Sequence, residues 1–351
     1  MEERDRDGRP RPRRRWVIGI GLGVALLLMP LAWLLRPGAW LGETLPNPNG
    51  YEDLVAAARG ITGDFTKVIK QEEDTEALRA LVAENRDVLD RARVGLGRES
   101  IVPLAKIRSV AAHMNDLSAK RSLGRLLAYE AILAERNGQT AEAAVRFADV
   151  IRFGRAISSG GLILDRLAKG AVQFPGVEGL ARLAPTLTGE DARRLARVVE
   201  RLDRGREPLH RVFDRDLAFN LDRGGVPLRI AYVINRGTMQ GLLAPAKKAA
   251  EQADRRDQAY LRLLAATLAL RAYRLDHPDA PTPPALDALV PAYLNAVPAD
   301  PFGWGPLKFR ANAGRVYSVG PDGLDDDGTP PPSRFSTGGD LLLVAPPSRP
   351  R

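Results

Sequence analysis

The chain contains no cysteine among its 351 residues, and this absence excludes several kinds of chemistry. Disulfide bridges cannot form, there is no thiolate nucleophile, and zinc or iron–sulfur sites built on sulfur are ruled out. Histidine is nearly as scarce. His113, His210 and His277 lie on different segments, and no spacing between them places two on one helical face. A metal cage of imidazoles is therefore not predicted.

Local catalytic motifs are missing as well. No serine lies in a nucleophile-elbow motif. The glycine-rich residues 158–161 (Ser-Ser-Gly-Gly) lack the Lys-Ser/Thr that follows a phosphate-binding loop and the strand that precedes it, so they are predicted to be a loop between helices. Carboxylates brought together from distant segments would leave no local trace, so an enzyme is not excluded. The sequence assigns no catalytic residue.

The composition is that of a folded, basic protein. Apolar residues make up 44% of the chain, and 52 Lys and Arg residues stand against 43 Asp and Glu, which gives a formal net charge of +9. A chain of this length and apolar content can build a hydrophobic core in roughly two domains. Wholesale disorder is excluded.

Residues 16–35 (WVIGIGLGVALLLMPLAWLL) form an uncharged run that predicts a single transmembrane helix. Roughly 20 helical residues cross a bilayer core of ~30 Å. The preceding residues 1–15 contain seven arginines and four acids, which by the positive-inside tendency keeps them in the cytoplasm. A cleaved signal peptide is the alternative, but its apolar core is usually about 7–15 residues long, and residues 36–39 (Arg-Pro-Gly-Ala) are a poor cleavage site. We therefore predict a cell-membrane protein whose bulk is periplasmic or extracytoplasmic.

The rest of the chain divides into three segments. Residues 36–50 are rich in proline and glycine and predict a linker, residues 51–257 predict a helical domain, and residues 258–351 predict an α+β domain. Within the helical domain, the apolar stripe of residues 74–93 predicts one continuous helix, and Thr188 with Asp191 resembles a capping box. The fold class is therefore α+β, mainly α.

A helical hairpin is predicted on either side of Asn137 and Gly138. Leu123, Leu127, Ala131 and Ala134 form the stripe before this turn, and Ala143, Phe147, Val150 and Ile151 form the stripe after it. Ala143 and Phe147 after an Asn-Gly turn are also typical of a tetratricopeptide repeat, but no second copy follows at a 34-residue period. A plain hairpin and a repeat unit are the two interpretations.

Arginines crowd the segment that follows Thr188: Arg193, Arg194, Arg197, Arg201, Arg204 and Arg206. A nucleic-acid-binding patch has this density of charge. Acidic residues alternate with the arginines, however, and aromatic residues for base stacking are missing there. We therefore predict a solvated helix face and no nucleic-acid partner, with anionic lipid or acidic envelope polymers as the remaining interpretation.

The pattern changes to strands near the C-terminus. Residues 258–276 are apolar on more than one face, which predicts a helix covered on both sides. Residues 307–310 and 315–319 then alternate around an Ala-Asn-Ala-Gly turn, and residues 340–344 supply a third candidate strand. A small antiparallel sheet packed on the long helix is expected.

The blocks of this segment stand in a familiar order. Asp-Pro-Phe-Gly at 300–303 precedes the hairpin, and Gly-Pro-Asp-Gly at 320–323 precedes an acidic loop. This order resembles the globular domain of the major pseudopilin of type II secretion systems, over about the last 90 residues. Members of that family assemble into a short periplasmic fibre. This chain departs from the family because the prepilin cleavage motif is missing before Trp16 and because more than two hundred residues separate the apolar run from the matching segment.

The acidic loop is the one predicted ligand site. Asp322, Asp325, Asp326, Asp327 and Asp340 place five carboxylates in a short stretch, a density of hard oxygen ligands that suits calcium. In the family that the segment resembles, a calcium ion is bound in this loop, and the corresponding ligands here would be Asp322, Asp325, Asp327 and Asp340. A solvated acidic turn is the other interpretation.

Together these features predict a membrane-anchored envelope scaffold or accessory protein with a pseudopilin-like C-terminal module, linked to a type II secretion or pilus-type system. Its expected partners are the lipid bilayer and other envelope or secretion-system proteins. The alternative is a membrane-tethered hydrolase acting on envelope polymers, for which no catalytic residue is assigned.

Overall fold

The computed structural model describes residues 44–63, 65, 74–107, 109–330 and 338–343. Helices dominate these residues, and a two-stranded antiparallel sheet accompanies them, which confirms the prediction of a mainly helical chain with a small antiparallel sheet. The predicted membrane helix at residues 16–35 lies outside the described part. Within that part, no helix has both the length and the apolar character that crossing a bilayer requires.

The described chain forms two compact units. The larger one comprises Thr44–Asp214 together with the chain from Pro245 onward, and the smaller one is Arg215–Ala244. The larger unit contains most of the helices and the sheet.

In the part of the chain that the structure describes, the larger unit begins with three short helices: α1 (Gly50–Arg59), α2 (Thr75–Glu84) and α3 (Arg86–Leu96). The prediction of one continuous helix through residues 74–93 is wrong, because Asn85 interrupts it. The buried Asn85 amide accepts from the Thr62 N–H at 2.9 Å and donates to the Thr62 carbonyl at 3.0 Å. This side chain ties the break to the end of α1, while the apolar stripe continues on both sides of it.

The predicted helical hairpin is confirmed as α4 (Val110–Arg136) and α5 (Thr140–Ala156). Gly138 adopts a φ of +75° in the turn, a conformation that favours glycine. Helix α6 (Ile163–Leu183) packs on α5 at close range. A Cβ atom at Gly179 would stand 2.3 Å from the Phe147 ring, so glycine is required where the two helices meet.

Helix α7 (Gly189–Arg204) begins at the predicted cap. The hydroxyl of Thr188 accepts from the Asp191 N–H at 3.1 Å and donates to the Asp191 carboxylate at 2.8 Å. These bonds satisfy a backbone donor that would otherwise be unpaired in the first turn.

Three further helices follow: α8 (Leu209–Arg223), α9 (Gly225–Ile234) and α10 (Arg236–Asp276). The last contains the long helix predicted for residues 258–276 but begins much earlier, at Arg236. Its C-terminal half is buried on several sides, as expected from its apolar pattern, with Leu261, Leu264 and Leu268 almost inaccessible to solvent.

The C-terminal segment begins with a 3₁₀ turn at Leu286–Leu289, and the predicted hairpin is confirmed as β1 (Lys308–Arg310) and β2 (Arg315–Tyr317). Leu341 forms a single antiparallel bridge with Ser318, so a third strand is not formed within residues 338–343. The pairing between Leu341 and Ser318 does not extend to the residue before Leu341, because the Asp340 N–H donates to the Thr329 carbonyl at 2.9 Å and not to β2.

One hydrophobic core joins the C-terminal segment to the helical body. Leu294, Leu307 and Leu341 pack in the same cluster as Leu264 of α10 and Leu180 of α6. Helix α10 thus contributes to both sides of the predicted boundary at residues 257 and 258. A second cluster lies among α1 to α6 and is built around Leu54, Leu89, Leu123 and Phe153.

Candidate functional site

Four ionisable side chains, which we call the buried cluster, meet inside the larger unit: Tyr51 on α1, His113 and Lys120 on α4, and Asp165 on α6. The Lys120 ammonium donates to Oδ1 of Asp165 at 3.1 Å and to the Tyr51 hydroxyl at 2.9 Å. Nε2 of His113 lies 3.0 Å from Oδ2 of Asp165. Lys120 and Asp165 are fully buried, and the other two are nearly so.

Asp165 is held at the centre of the buried cluster by the start of α6. Its Oδ2 also accepts from the Leu162 N–H at 2.9 Å, in the manner of a helix cap. Gly161 leaves the room that this requires, because a Cβ atom there would stand 2.8 Å from the Asp165 side chain. Residues 158–161 are thus the loop between α5 and α6 that was predicted, and they shape the surroundings of Asp165.

The surroundings favour the ionised form of Asp165 and the neutral form of Tyr51 within the buried cluster. Burial by itself raises the pKa of Asp165, but the hydrogen bond from His113 and the charge of Lys120 outweigh it and hold that pKa below its ordinary value. Burial, followed by the charge of Asp165, raises the pKa of Tyr51 far above its ordinary value. The cluster therefore contains an ionised carboxylate and a neutral phenol at neutral pH.

A cavity of about 500 Å³ opens beside the buried cluster, and Tyr51 and His113 form part of its wall. Two ion pairs also line it: Arg59 with Asp116, and Lys106 with Glu52. An imidazole held by a carboxylate can accept and return a proton. None of the described residues that line the cavity is Ser or Thr, so the wall offers no hydroxyl nucleophile of the kind that such a pair activates.

The buried cluster is not predicted from the sequence, where His113 stands alone. His113 and Lys120 lie seven residues apart, a spacing that places them two turns apart on one face of α4. That spacing is the one feature of the sequence that could have indicated that His113 and Lys120 belong to one site. Tyr51 and Asp165 come from other helices, and the packing of α1 and α6 against α4 brings them to it.

Five charged residues form a second group, which we call the ion cluster: the buried Arg166 and Lys169 on α6, and the half-buried Arg206 before α8 and Asp254 and Asp257 on α10. Asp257 accepts from Lys169 at 3.0 Å and from Arg206 at 2.8 Å. Asp254 accepts from Arg166 at 2.6 Å. These ion pairs connect α10 to α6.

The ion cluster makes the free energy of unfolding depend on pH in the alkaline range. Burial lowers the pKa of Lys169 to about 8, aided by the charges of Arg206 and Arg166 and opposed by that of Asp257. The unfolded chain keeps the ordinary lysine pKa of about 10.4, so above pH 8 the unfolded state binds more protons than the folded one. Stability therefore rises with pH through this window.

We expect the free energy of unfolding to increase by about 2 kcal/mol between pH 8 and pH 10. Above about pH 10 it should fall, because burial raises the pKa of Tyr51 and Tyr317 and the unfolded chain then loses protons first. Urea unfolding across this range measures both limbs. A Lys169→Met variant should lose the rise and keep the fall, and a rise that persists in this variant would contradict the assignment.

Three of the arginines on α7 or just after it bind other parts of the larger unit, whereas Arg194 and Arg204 pair with acids of α7 itself. Arg193 pairs with Asp276 at the end of α10, and Arg197 donates to the carbonyls of Pro291 at 3.0 Å and Ala292 at 2.9 Å. Arg206 belongs to the ion cluster. These charges attach α10 and the C-terminal segment to α7, a role that the sequence pattern did not indicate.

The aspartates of the predicted calcium site lie in the loop after β2, where each has partners of its own. Asp325 accepts from the Tyr317 hydroxyl at 2.9 Å and pairs with Lys308 at 3.2 Å. Asp322 accepts from the Gly339 N–H at 3.1 Å. Among the described residues, which omit 331–337 of this loop, no group of three or more acidic or histidine side chains is arranged to hold a metal ion.

Asp340 differs from the other three predicted ligands because it is fully buried. Its Oδ2 accepts from the Gly328 N–H at 2.6 Å, whereas its Oδ1 meets no donor of good geometry in the described residues. Burial, with the nearby charges of Asp325 and Asp326, raises the pKa of Asp340. Asp327, the fourth predicted ligand, is exposed and lies 3.9 Å from Arg310. Only Asp340 therefore has an oxygen whose environment suits a cation.

The Asp-Pro-Phe-Gly block forms a fixed loop that presents Trp304. The Asp300 N–H donates to the Gly305 carbonyl at 2.7 Å and closes the loop. The Asp300 carboxylate accepts from the Ser318 hydroxyl at 2.7 Å and the Val319 N–H at 2.9 Å, which fastens the loop to the chain after β2. Trp304 is fully exposed at the tip.

Comparison with known proteins leaves the function to be argued from these sites. No protein-family model, no curated protein and no solved structure matches the chain. The resemblance to the major pseudopilin therefore depends on the order of the turn blocks in the C-terminal segment and stays a prediction.

Proposed function

We propose that the protein is a single-pass, membrane-anchored scaffold or accessory protein of the cell envelope, linked to a type II secretion or pilus-type system through its pseudopilin-like module. Residues 1–15 would lie in the cytoplasm and the bulk of the chain outside. The arginine-rich start and the uncharged run at 16–35 support the anchor. The loop that presents Trp304 supports the binding role.

The exposed Trp304 is the observation that carries this proposal. Tryptophan is among the residues most enriched at binding hot spots, where it fills a pocket on the partner. The loop is already held by Asp300, so docking would cost little conformational entropy. A large aromatic side chain presented in this way suits a module that recognises another protein.

The hydrolase alternative has less support from the structure. Glycoside hydrolysis requires two available carboxylates facing one cavity. The carboxylates of Glu200, Asp203, Glu207 and Asp254 line a cavity of about 460 Å³. Asp203 is bound by Arg262 at 2.8 Å, Glu200 accepts from the Asn295 N–H at 3.0 Å, and Asp254 belongs to the ion cluster. Glu200, Asp203 and Asp254 thus each take part in an ion pair or hydrogen bond that stabilises the fold, which weakens the case for an acid–base pair in this cavity.

A Trp304→Ala variant tests the scaffold proposal. Tagged full-length protein is crosslinked in membranes of its own cells and purified, and the captured proteins are quantified by mass spectrometry. A hot-spot contribution of about 2 kcal/mol predicts that the variant captures its main partner about thirtyfold less. Leu324→Ala, which removes another exposed apolar side chain of the same segment, is the matched control and should capture as wild type does. Equal capture by both variants would contradict the proposal.

We further propose that the loop from Asp322 to Asp340 binds calcium. The observation that fits a hard cation is Oδ1 of buried Asp340, which has no hydrogen-bond partner of good geometry among the described residues. Asp322, Asp325 and Asp327 would supply further oxygens, and for Asp325 the ion would have to displace Lys308. When bound, the ion would offset the mutual repulsion of these carboxylates and fasten the loop to the end of the sheet.

Calcium is therefore expected to raise the melting temperature. At about a hundredfold excess over the dissociation constant, binding to the folded form alone adds roughly 2.7 kcal/mol, which is several degrees. Magnesium should do less because its octahedral shell dehydrates reluctantly. The measurement is a thermal melt with calcium or with chelator. The double variant Asp325→Asn, Asp327→Asn should lose the response, and identical midpoints for the wild type would reduce the loop to a solvated turn.

A further inference from the structure

The smaller unit exposes an unusual amount of apolar surface. Helix α9 buries none of its residues. Seven large aliphatic side chains of α9 and the first part of α10 are exposed: Val226, Leu228, Ile230, Val233, Ile234, Leu242 and Leu243. Ile234 and Leu242 are the most accessible, at 74% and 72%. Surface of this kind marks a binding face, because single exposed aliphatic residues are ordinary and a run of them is not.

The charges of this stretch are all of one sign. Residues 223–248 contain five basic residues and no acidic residue, although 43 of the chain's 351 residues are Asp or Glu. Arg236, Lys247 and Lys248 are exposed. Arg229 pairs with Asp222 at 2.7 Å, and the Lys247 ammonium lies 5.2 Å from the centre of the Phe213 ring. An occupant of this face must therefore be apolar and carry negative charge.

An anionic lipid surface satisfies both conditions. Helices that lie in the membrane interface combine aliphatic side chains with Lys and Arg. Protein-binding faces are instead depleted of charge at their centre and enriched in aromatic residues. Tyr232 is the one aromatic residue in positions 225–244, and it is half-buried. The composition thus favours lipid over a protein partner.

We propose that α9 and the first part of α10 lie on the surface of an anionic bilayer, with their aliphatic side chains inserted among the lipids and their basic residues among the headgroups. This inference rests on the proposed function, because the anchor at residues 16–35 would keep the segment at high effective concentration near a membrane. Helix α9 would then be a second membrane contact that lies along the bilayer without crossing it.

The absence of cysteine makes a direct test possible, since one introduced cysteine labels one site. Full-length protein carrying Ile234→Cys with an environment-sensitive fluorophore is reconstituted into phosphatidylcholine vesicles, with or without phosphatidylglycerol, that contain nitroxide-labelled lipid. We expect lipid quenching at position 234 in the anionic vesicles and weaker quenching in the neutral ones. Arg236→Gln with Lys248→Gln should lower the fraction of segments bound to the bilayer. Each basic residue near an anionic surface changes the equilibrium ratio of bound to unbound segments about fivefold. Helical content by circular dichroism verifies that each variant is folded.

Two further labelled positions separate the possible results. Val94→Cys, on an exposed site of α3, should stay unquenched in all vesicles, and Leu27→Cys reports on the anchor. Quenching at 27 without quenching at 234 would overturn this inference and leave the anchor standing, whereas quenching at neither position would overturn both. A label at 234 that is shielded from aqueous iodide but untouched by the lipid quencher would show that a protein covers the face, and it would also overturn the proposal. Equal quenching with and without phosphatidylglycerol would contradict the role of charge.

Discussion

Replacing Lys120 with methionine is expected to lower the free energy of unfolding by about 3–5 kcal/mol. The ammonium is fully buried, and its loss leaves the Asp165 carboxylate without its cation and the Tyr51 hydroxyl without its donor. Methionine keeps an unbranched side chain of similar length, so the loss of packing is small. Urea unfolding of the full chain in detergent, followed by circular dichroism, measures the change.

Two comparisons test the cause of this loss. Lys106→Met removes an exposed ammonium that pairs with Glu52 and should cost less than about 1 kcal/mol. Adding Asp165→Asn to Lys120→Met should recover part of the stability, because no uncompensated charge is then buried. The deficit of the single variant should also shrink as the pH falls toward the lowered pKa of Asp165 in the wild-type fold, because without the charge of Lys120 the buried carboxyl of the variant takes up its proton at a higher pH. If Lys120→Met lowers the free energy of unfolding by less than about 1 kcal/mol at neutral pH, the contacts described for Lys120 in the buried cluster would be contradicted.

Asp257→Asn in the ion cluster is expected to have a comparable effect, again about 3–5 kcal/mol at neutral pH. Burial raises the pKa of Asp257, but the charges of Lys169 and Arg206 outweigh it and keep this carboxyl ionised. Without it, the buried Lys169 loses its ion pair, and Asp254 alone pairs with Arg166 and Arg206. Helix α10 would then be held less firmly against α6.

The pH dependence identifies the source of the Asp257→Asn effect. At pH 10 Lys169 is largely neutral, since its pKa is about 8, so the variant should recover part of its deficit there. Asp279→Asn is the matched control, because Asp279 is exposed, and its effect should stay within about 0.5 kcal/mol. A deficit that is independent of pH would indicate lost packing and not unpaired charge.

Local patterns in the sequence predicted much of the fold. The α4–α5 hairpin follows from two apolar stripes around an Asn-Gly turn, and β1–β2 follows from alternation around a glycine with φ of +56°. The break between α2 and α3 at Asn85 was not predicted, because the spacing of apolar residues continues unchanged across it. The buried Asn85 amide marks the break through its hydrogen bonds to the Thr62 backbone, and such bonds leave no trace in the apolar pattern. Within residues 338–343 a third strand is not formed, because the Asp340 N–H donates to the Thr329 carbonyl and not to β2.

The buried cluster and the ion cluster could not be predicted from local sequence patterns. Helical and strand periods are short-range properties, so the sequence by itself determined the helical class and the two hairpins. The exposure of Trp304 emerged only from the structure. Tertiary packing alone brought Tyr51 and Asp165 to Lys120, and Asp254 and Asp257 to Arg166 and Lys169, across separations of 45 to 88 residues. Buried charges leave no local signature, because their partners are chosen by the packing of helices and the cost of leaving an ion unpaired in the interior.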